Sequence, residues 1–462
     1  MKKQYKDLIS DTFIFAIGTV GSRLILFLLV PLYTTLLTTE EYGLADLVVT
    51  FGQMLLPVIS LAIPDAVVPF GLAKDIKRSD VLASSLSLFV VTSLLALLIV
   101  PLFDLYYEIS RWKWYVYIYV ICTYFNILVF NYLKVCDKNK TYSILSIFSA
   151  LLLVAFNILF LQFFHWGIKG YLMSTILSVL ISGVASFLFG NFVKELKNAH
   201  LNWKLTKEMI MYAMPLIANA VSWWLVLNSN KILIQVLGSS AMLGLYTAAS
   251  KIPSLINMVN TIFGQAWGLS AIKTYNDYDS KSYYTKVFRI FIIVMFISCI
   301  FLVGIIKLFM SIYVGDDFFN AWPLVPALMF SACYSAISSF CSAFYGTVRK
   351  SKGVMLSTLL AGLINVVINM IFIPLIGAYG AVIGTALSYI VVAIYRLIDT
   401  RKISHMDCSL SLLLILTSLS LIQVFLVSLD FHIYEVSVII MLFALFFCRN
   451  DLNSVLELVR KK

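Results

Sequence analysis

Long apolar runs, repeated along almost the whole chain, constrain this sequence more than any other feature. A bilayer-spanning helix needs about 20 mostly apolar residues. Fourteen segments of that kind follow one another, from 11–37, 43–72 and 81–103, through 209–237 and 242–270, to 409–428 and 432–448. They are too long for the short alternating strands of an outer-membrane barrel. The expected fold class is therefore an all-α integral membrane protein with 14 transmembrane helices. Composition points the same way: 61% of the 462 residues are hydrophobic and only 12% charged, about half the charged share of an ordinary soluble domain. The amino-terminal MKKQYKDLISDTF begins basic but has no small-residue cleavage site after it, so it reads as the start of a retained first span and not as a signal peptide.

The net charge of +11 is mostly topology. With a cytoplasmic amino terminus, alternate loops on the inner side hold 27 of the 34 lysines and arginines. The outer loops hold only Arg111, Lys113 and Lys169, beside the acids Glu40, Glu41, Asp104, Asp316, Asp317 and Asp430. Cytoplasmic loops collect Lys and Arg in this way, which places the chain as a multi-pass protein of the cell (plasma or inner) membrane with both termini cytoplasmic. No basic domain stands apart from the spans, so a nucleic-acid partner is not expected. The seven cysteines, as well as His165, His200, His405 and His432, show no metal-ligand spacing. No P-loop, HExxH or G-x-S-x-G run is present. Neither a cofactor nor a metal is expected, and the chain does not read as an enzyme.

The first six spans and the next six match as copies. A shift of 212 carries Asn157 onto Asn369 and Phe160 onto Phe372; 210 carries Gly167 and Gly170 onto Gly377 and Gly380; 201 carries Gly43 onto Gly244. Six is even, so both copies begin on the same side, and their relation is a pseudo-two-fold axis along the membrane normal. This gives a six-helix lobe at 1–200, a second at 201–402, and two additional helices with a short cytoplasmic tail at 403–462. The GxxxG formed by Gly380 and Gly384 is read as close helix packing.

Four cations remain inside spans: Arg23, Lys231, Lys251 and Lys307. A cation at mid-membrane costs a few kcal/mol or more, so it faces a polar cavity or a partner. Lys307 is six residues from the end of its span and is expected to snorkel to the outer interface. Arg23 and Lys251 lie too deep for that, while Lys231, near an outer end, has either fate open to it. Polar and aromatic side chains share helical faces with these cations: Thr19 with Arg23; Trp224 and Asn228 with Lys231; Gln265 with Lys251; and, in the second span, Gln53 with Asp46. Asp65 points about 100 degrees away from the Asp46 face at 100 degrees per residue. Three cations against Asp46 and Asp65 make a cavity of net positive sign, suited to an anion. A phosphate or diphosphate fits best, because Arg clasps phosphate bidentately and Lys supplies a point charge.

The stretches FIFAIGTVGSRLILFLLVPLYTTLLTTEEYGLADL (Phe13 to Leu47), YAMPLIANAVSWWLVLNSNKILIQVLG (Tyr212 to Gly238), GLYTAASKIPSL (Gly244 to Leu255) and FGQAWGLSAI (Phe263 to Ile272) resemble Wzx-type polysaccharide repeat-unit flippases. These belong to the multidrug, oligosaccharidyl-lipid and polysaccharide exporter (MOP) superfamily, with the MATE proteins and the MurJ-type lipid II flippases. Relatives often have Asp-Arg where this chain has Asn230-Lys231. The resemblance implies a MATE-like fold of two lobes around a central cavity. It also implies translocation of an undecaprenyl-diphosphate-linked oligosaccharide repeat unit, a capsule, O-antigen or exopolysaccharide precursor, from the cytoplasmic to the outer leaflet by alternating access. Arg23, Lys231 and Lys251 would bind the diphosphate, and Asp46 and Asp65 would serve ion coupling. Membrane lipid, a glycan polymerase and chain-length machinery are the implied partners of a chain expected to be a monomer. A cation-coupled drug antiporter of the same fold, a lipid II flippase, and a membrane glycan polymerase or ligase remain rival readings. The antiporter would prefer an acidic cavity, and the polymerase a larger outer loop than the roughly ten residues near Asp104 to Lys113.

Overall fold

The computed structural model describes residues 21, 24–73, 75–105, 107–273, 280–347 and 351–460. Among them the fold is helical, with no strand. The chain divides into two compact units, Met1–Asn228 and Ser229–Lys462. Eleven helices among the described residues are long and apolar enough to cross a membrane, and each falls in one of the fourteen segments expected. The other three segments, 11–37, 209–237 and 242–270, include residues or side chains outside the described set.

Unit 1 runs through α1 (Val30–Leu36), α2 (Thr39–Ile59), α3 (Ile63–Gly71), α4 (Arg78–Ala96), α5 (Lys113–Val135), α6 (Asn139–Asn157), α7 (Gly167–Phe189) and the short α8 (Phe192–Lys197) into the long α9 (Trp203–Leu237), within which the unit boundary falls. Helix α2 starts at a reciprocal cap. Thr38 Oγ1 accepts from the Glu41 amide at 3.2 Å, and Glu41 Oε2 accepts from the Thr38 amide at 3.0 Å, so two of the amides left over at a helix start find partners. The expected single span 43–72 is two helices. Leu61 and Ala62 take left-handed φ of 49° and 50°, and Pro64, at the start of α3, has no amide to continue the ladder. Helical phase is lost at this break, so the 100-degree relation between Asp46 and Asp65 does not apply. The Pro64 carbonyl is taken up by Asn131 Nδ2 of α5 at 2.8 Å. The core of this unit gathers Tyr124, Leu128, Tyr132 and Leu133 of α5 with Phe192 of α8. Beyond α4, Asp104 accepts from Lys113 Nζ at 2.7 and 2.9 Å and from Ser110. These contacts, the Lys113 bond first, hold its carboxyl below the usual carboxylate range.

Unit 2 takes the remainder of α9, then α10 (Ser240–Lys251), α11 (Ser254–Lys273), α12 (Ser280–Gly304), α13 (Ile306–Tyr313), α14 (Val325–Thr347), α15 (Ser351–Ile376), α16 (Ala378–Ser404), α17 (Leu410–Ser428) and α18 (Ile433–Arg460). The expected span 242–270 is again interrupted, here at Ile252 and Pro253 between α10 and α11. Trp267 fixes α11: its ring stacks on Phe340 of α14 at 4.3 Å and its Nε1 donates to the Phe340 carbonyl at 3.0 Å. The last two helices are tied to α12 and α13 at three levels. Arg289 donates twice to the Asp451 carboxylate, at 2.8 and 3.0 Å. Gln423 Nε2 donates to the Ile300 carbonyl at 2.9 Å and to Ser437 at 3.0 Å. Lys307 pairs with Asp430 and lies over the Trp322 ring, so its charge ends at an ion pair in the segment joining α17 and α18.

The residues matched in sequence occupy matched surroundings. Gly167 and Gly377 both have positive φ, 54° and 62°. A Cβ on the first would meet Glu41 at 2.8 Å and on the second Met242 at 2.9 Å, and positions 41 and 242 are related by the same shift of 201 as Gly43 and Gly244. A Cβ on Gly170 would meet the Phe160 carbonyl at 3.1 Å, and on Gly380 the Phe372 carbonyl at 2.7 Å. Gly384 presses against Asn369 Oδ1. The GxxxG is thus contact surface between α15 and α16. Gly380→Ala places a methyl group on backbone that cannot give way, and overpacking of this kind costs about 1–3 kcal/mol. The expected outcome is a lower melting temperature in detergent, while Gly264→Ala, where a Cβ meets nothing within 4 Å, leaves it unchanged or raised.

Candidate functional site

In unit 1 the polar centre forms around Asp46, which the helical spacing of α2 turns inward and which is 5% exposed. Three tyrosines pack into one cluster: Tyr33 stacks on Tyr42 at 5.7 Å and meets Tyr171 edge-on at 4.8 Å, and Tyr42 meets Tyr171 at 6.3 Å. Asp46 is close enough for its charge to act on the phenols of Tyr33, Tyr171 and Tyr119. Asn157 of α6, fully buried, donates to the Tyr33 hydroxyl at 3.0 Å and so ties α6 to α1. Trp224 of α9 is 7% exposed, and its Nε1 donates to the Thr50 carbonyl of α2 at 3.1 Å. Gln53, exposed, lies beside the Tyr119 hydroxyl. The structure thus brings together Asp46, Gln53 and Trp224 on and against α2. Asn228 bonds to the Trp224 carbonyl within its own helix at 3.2 Å, and Asp65 is exposed on the first turn of α3. Arg23 and Thr19 lie outside the described residues, as does the side chain of Gln265, whose backbone belongs to α11.

In unit 2 the polar centre is built of amides and hydroxyls. Asn369 of α15, fully buried, donates to Asn230 Oδ1 of α9 at 2.5 Å and to Asn365 Oδ1 at 2.9 Å. Asn230 Nδ2 donates to the Tyr246 hydroxyl of α10 at 2.8 Å and to Thr385 of α16 at 2.7 Å. Ser229 donates to Asn365 at 3.1 Å. Four helices meet in this network, and Lys231, half-buried, follows directly on Asn230. Lys251, also half-buried, occupies the last turn of α10. Pro253 ends that helix, so Lys251 sits among carbonyls whose aligned dipoles favour a cation. This is a local reason why a lysine is tolerated at this depth. The shift that carries Gly43 to Gly244 also carries Asp46 to Thr247 and Thr50 to Lys251. One frame therefore holds a carboxylate in unit 1 and an ammonium in unit 2.

Two features escaped the sequence reading. The tyrosine cluster could have been suspected from Tyr33 and Tyr42 flanking the capped start of α2. Arg396, one of the 27 cations counted on the inner side, is 5% exposed inside α16. Its guanidinium donates to Ser357 Oγ at 2.9 Å, Thr358 Oγ1 at 2.8 Å, and the Ser338 and Val354 carbonyls at 3.2 Å. It thereby joins α14, α15 and α16. Positive-inside counting cannot find such a residue, because it treats every arginine near a helix end as solvated.

A helical frame with eleven candidate spans among the described residues defines a polytopic membrane protein, and comparison with solved structures agrees on the fold. The lipid II flippase MurJ in an inward closed conformation superposes with a TM-score of 0.70 at 16% identity, covering 95% of this chain and 99% of that one. An inward-facing multidrug resistance MATE family transporter of the MOP superfamily gives 0.62 at 14% identity, covering 82% and 97%. An outward-facing one gives 0.57 at 16%, covering 84% and 93%. No curated protein sequence matches the chain closely enough to count as a relative. The family model described as "Polysaccharide biosynthesis protein" matches residues 8–268, more than half of the chain, and the chain belongs to that family.

Asn369→Ala would leave the amide oxygens of Asn230 and Asn365 without this donor, and a buried group so deprived costs about 1–3 kcal/mol. Thermal denaturation in detergent is expected to show that loss. Arg396→Lys, which cannot reproduce the planar fork, is expected to show a similar one.

Proposed function

We propose that this chain is a flippase that moves an undecaprenyl-diphosphate-linked oligosaccharide from the cytoplasmic to the outer leaflet. Membership of the polysaccharide biosynthesis family carries the reading. A fold shared with a lipid II flippase over 95% of the chain supports it, as do the half-buried Lys231 of α9 and Lys251 of α10. In this proposal Arg23, Lys231 and Lys251 hold the diphosphate, and Thr19, Gln53, Trp224, Asn228 and Gln265 meet the glycan. The polyprenyl tail stays in lipid. The lobes, 1–200 and 201–402, rock about the bound headgroup, with 403–462 following the second; both termini are cytoplasmic, the chain works as a monomer, and a glycan polymerase with its chain-length machinery takes the product. The step is vectorial transport, so the chain makes and breaks no covalent bond.

The direction follows from charge. With the cell interior negative, each negative charge carried outward across the full field releases about 2.3 kcal/mol per 100 mV. Asp46 and Asp65 are the proposed coupling carboxylates. Asp46 is the better placed, because a carboxylate buried among phenols changes the energy of its surroundings whenever it gains or loses a cation, whereas Asp65 is exposed.

The test is leaflet sidedness in proteoliposomes loaded with an undecaprenyl-diphosphate-linked oligosaccharide. Wild type is expected to expose the glycan on the opposite leaflet, and Arg23→Ala and Lys251→Ala are each expected to slow this by tenfold or more, about the effect of losing one charge-assisted hydrogen bond. Transport left intact by charge reversal at both positions would remove the cationic site. Movement of lipid II alone, or exchange of a small cationic drug for protons or sodium, would transfer the chain to a rival reading. In the same assay Asp46→Asn is expected to flatten the response to an imposed proton or sodium gradient while a membrane potential still drives transport. An undiminished gradient response would take Asp46 out of the coupling.

A further inference from the structure

The connection between α7 and α9 is held rigidly and yet presents apolar side chains outward. The chain leaves α7 through Asn191, whose φ of 56° is left-handed, and Lys138 Nζ holds the Gly190 carbonyl at 2.7 Å. Phe192 is then driven into the core, fully buried against Tyr132 at 4.8 Å, so α8 is pinned across the ends of α4 and α7. Further along, Arg78 pairs with Glu195 at 3.3 Å, the His200 amide donates to Asp80 at 2.9 Å, and Asn202 Oδ1 accepts from the Lys204 and Leu205 amides to start α9. Despite these ties Val193, Leu201 and Trp203 are 48%, 63% and 73% exposed. Lys194, Lys197, Lys204 and Lys207 are exposed in the same stretch, and Glu195, the one acid of residues 193–207, is engaged by Arg78.

We infer that residues 193–207 form a docking surface for anionic phospholipid headgroups, with Leu201 and Trp203 inserted at the interface and the four lysines over the phosphates. Continuity fixes the occupant: the segment starts four residues after the end of the candidate span α7 and is stapled through Glu195 and the His200 amide to Arg78 and Asp80 in the first turn of the candidate span α4, so it is held at the level of the membrane surface. Trp is the side chain best suited to that zone, and lysines beside it add attraction to anionic lipid. A soluble protein partner would have to approach through the headgroup layer. The inference stands apart from the transport reading, since it concerns the bilayer in which the chain sits and not its cargo.

Hydrogen exchange of residues 193–203 tests it, in nanodiscs of pure phosphatidylcholine and in nanodiscs of equal phosphatidylcholine and phosphatidylglycerol. Exchange is expected to be about fivefold slower with phosphatidylglycerol, the factor for one lysine at an anionic surface. The difference is expected to vanish in the combined Lys194→Gln, Lys197→Gln, Lys204→Gln, Lys207→Gln variant. As an independent readout, quenching by brominated phosphatidylcholine is compared between wild type and Trp203→Phe, and Trp203 is expected to contribute a quenched component. Equal exchange in both lipids would overturn the proposal. So would a Trp203 that is quenched by aqueous iodide and untouched by brominated lipid, which would leave the surface for a protein.

Discussion

A backbone amide or carbonyl left without a partner in hydrocarbon costs several kcal/mol, and that cost governs where this chain can depart from helix. At several departures among the described residues a polar group stands ready. The Pro64 carbonyl past the break in the second span finds Asn131. The Gly190 carbonyl at the end of α7 finds Lys138, and the Lys251 carbonyl before Pro253 finds the Ser254 hydroxyl. At the start of α2, Thr38 and Glu41 satisfy each other's amides. The breaks are therefore as specific as the helices, because each requires a side chain of the right reach at one position, distant in the chain or three residues along it.

Once the helices are fixed, glycine and asparagine decide how closely they approach. Gly380 and Gly384 let α16 lie against the backbone and an amide of α15, and that closeness allows Asn369 to span to Asn230 and Asn365. In unit 1 the equivalent Asn157 reaches Tyr33. The same frame thus supports two polar interiors of different character: a carboxylate among phenols in one, linked amides with two lysines nearby in the other. The packing constraints at Gly167 and Gly170 are met again at Gly377 and Gly380, while the polar centres of the two units differ.

Much of this was legible in the sequence. Period and length gave the eleven spans found among the described residues, and the shifts of 201 to 212 identified glycine pairs that the structure places in like surroundings. The GxxxG was correctly read as packing. Other features were hidden for identifiable reasons. Hydropathy averages over a window, so it joined α2 to α3 and α10 to α11 across prolines that end the hydrogen-bond ladder. Charge counting assumed solvated arginines, so it could not find Arg396, whose partners are serine and threonine hydroxyls and carbonyls from two other helices. Lys307 was expected to reach the interface, and its partner Asp430 lies 123 residues away in the chain, beyond any local pattern.

The sequence by itself determined the solvent. Runs of about 20 apolar residues can only be helices in a bilayer, because hydrocarbon offers the backbone no other partner. It also carried the family. Tertiary structure alone decided which polar residues meet. Asp46 lies near tyrosines of α1, α5 and α7, and Asn230 is held by residues from α10, α15 and α16. Such meetings depend on the approach of helices distant in sequence, which is set by the volume of side chains at their contacts, and helical periodicity shows only which face a residue occupies.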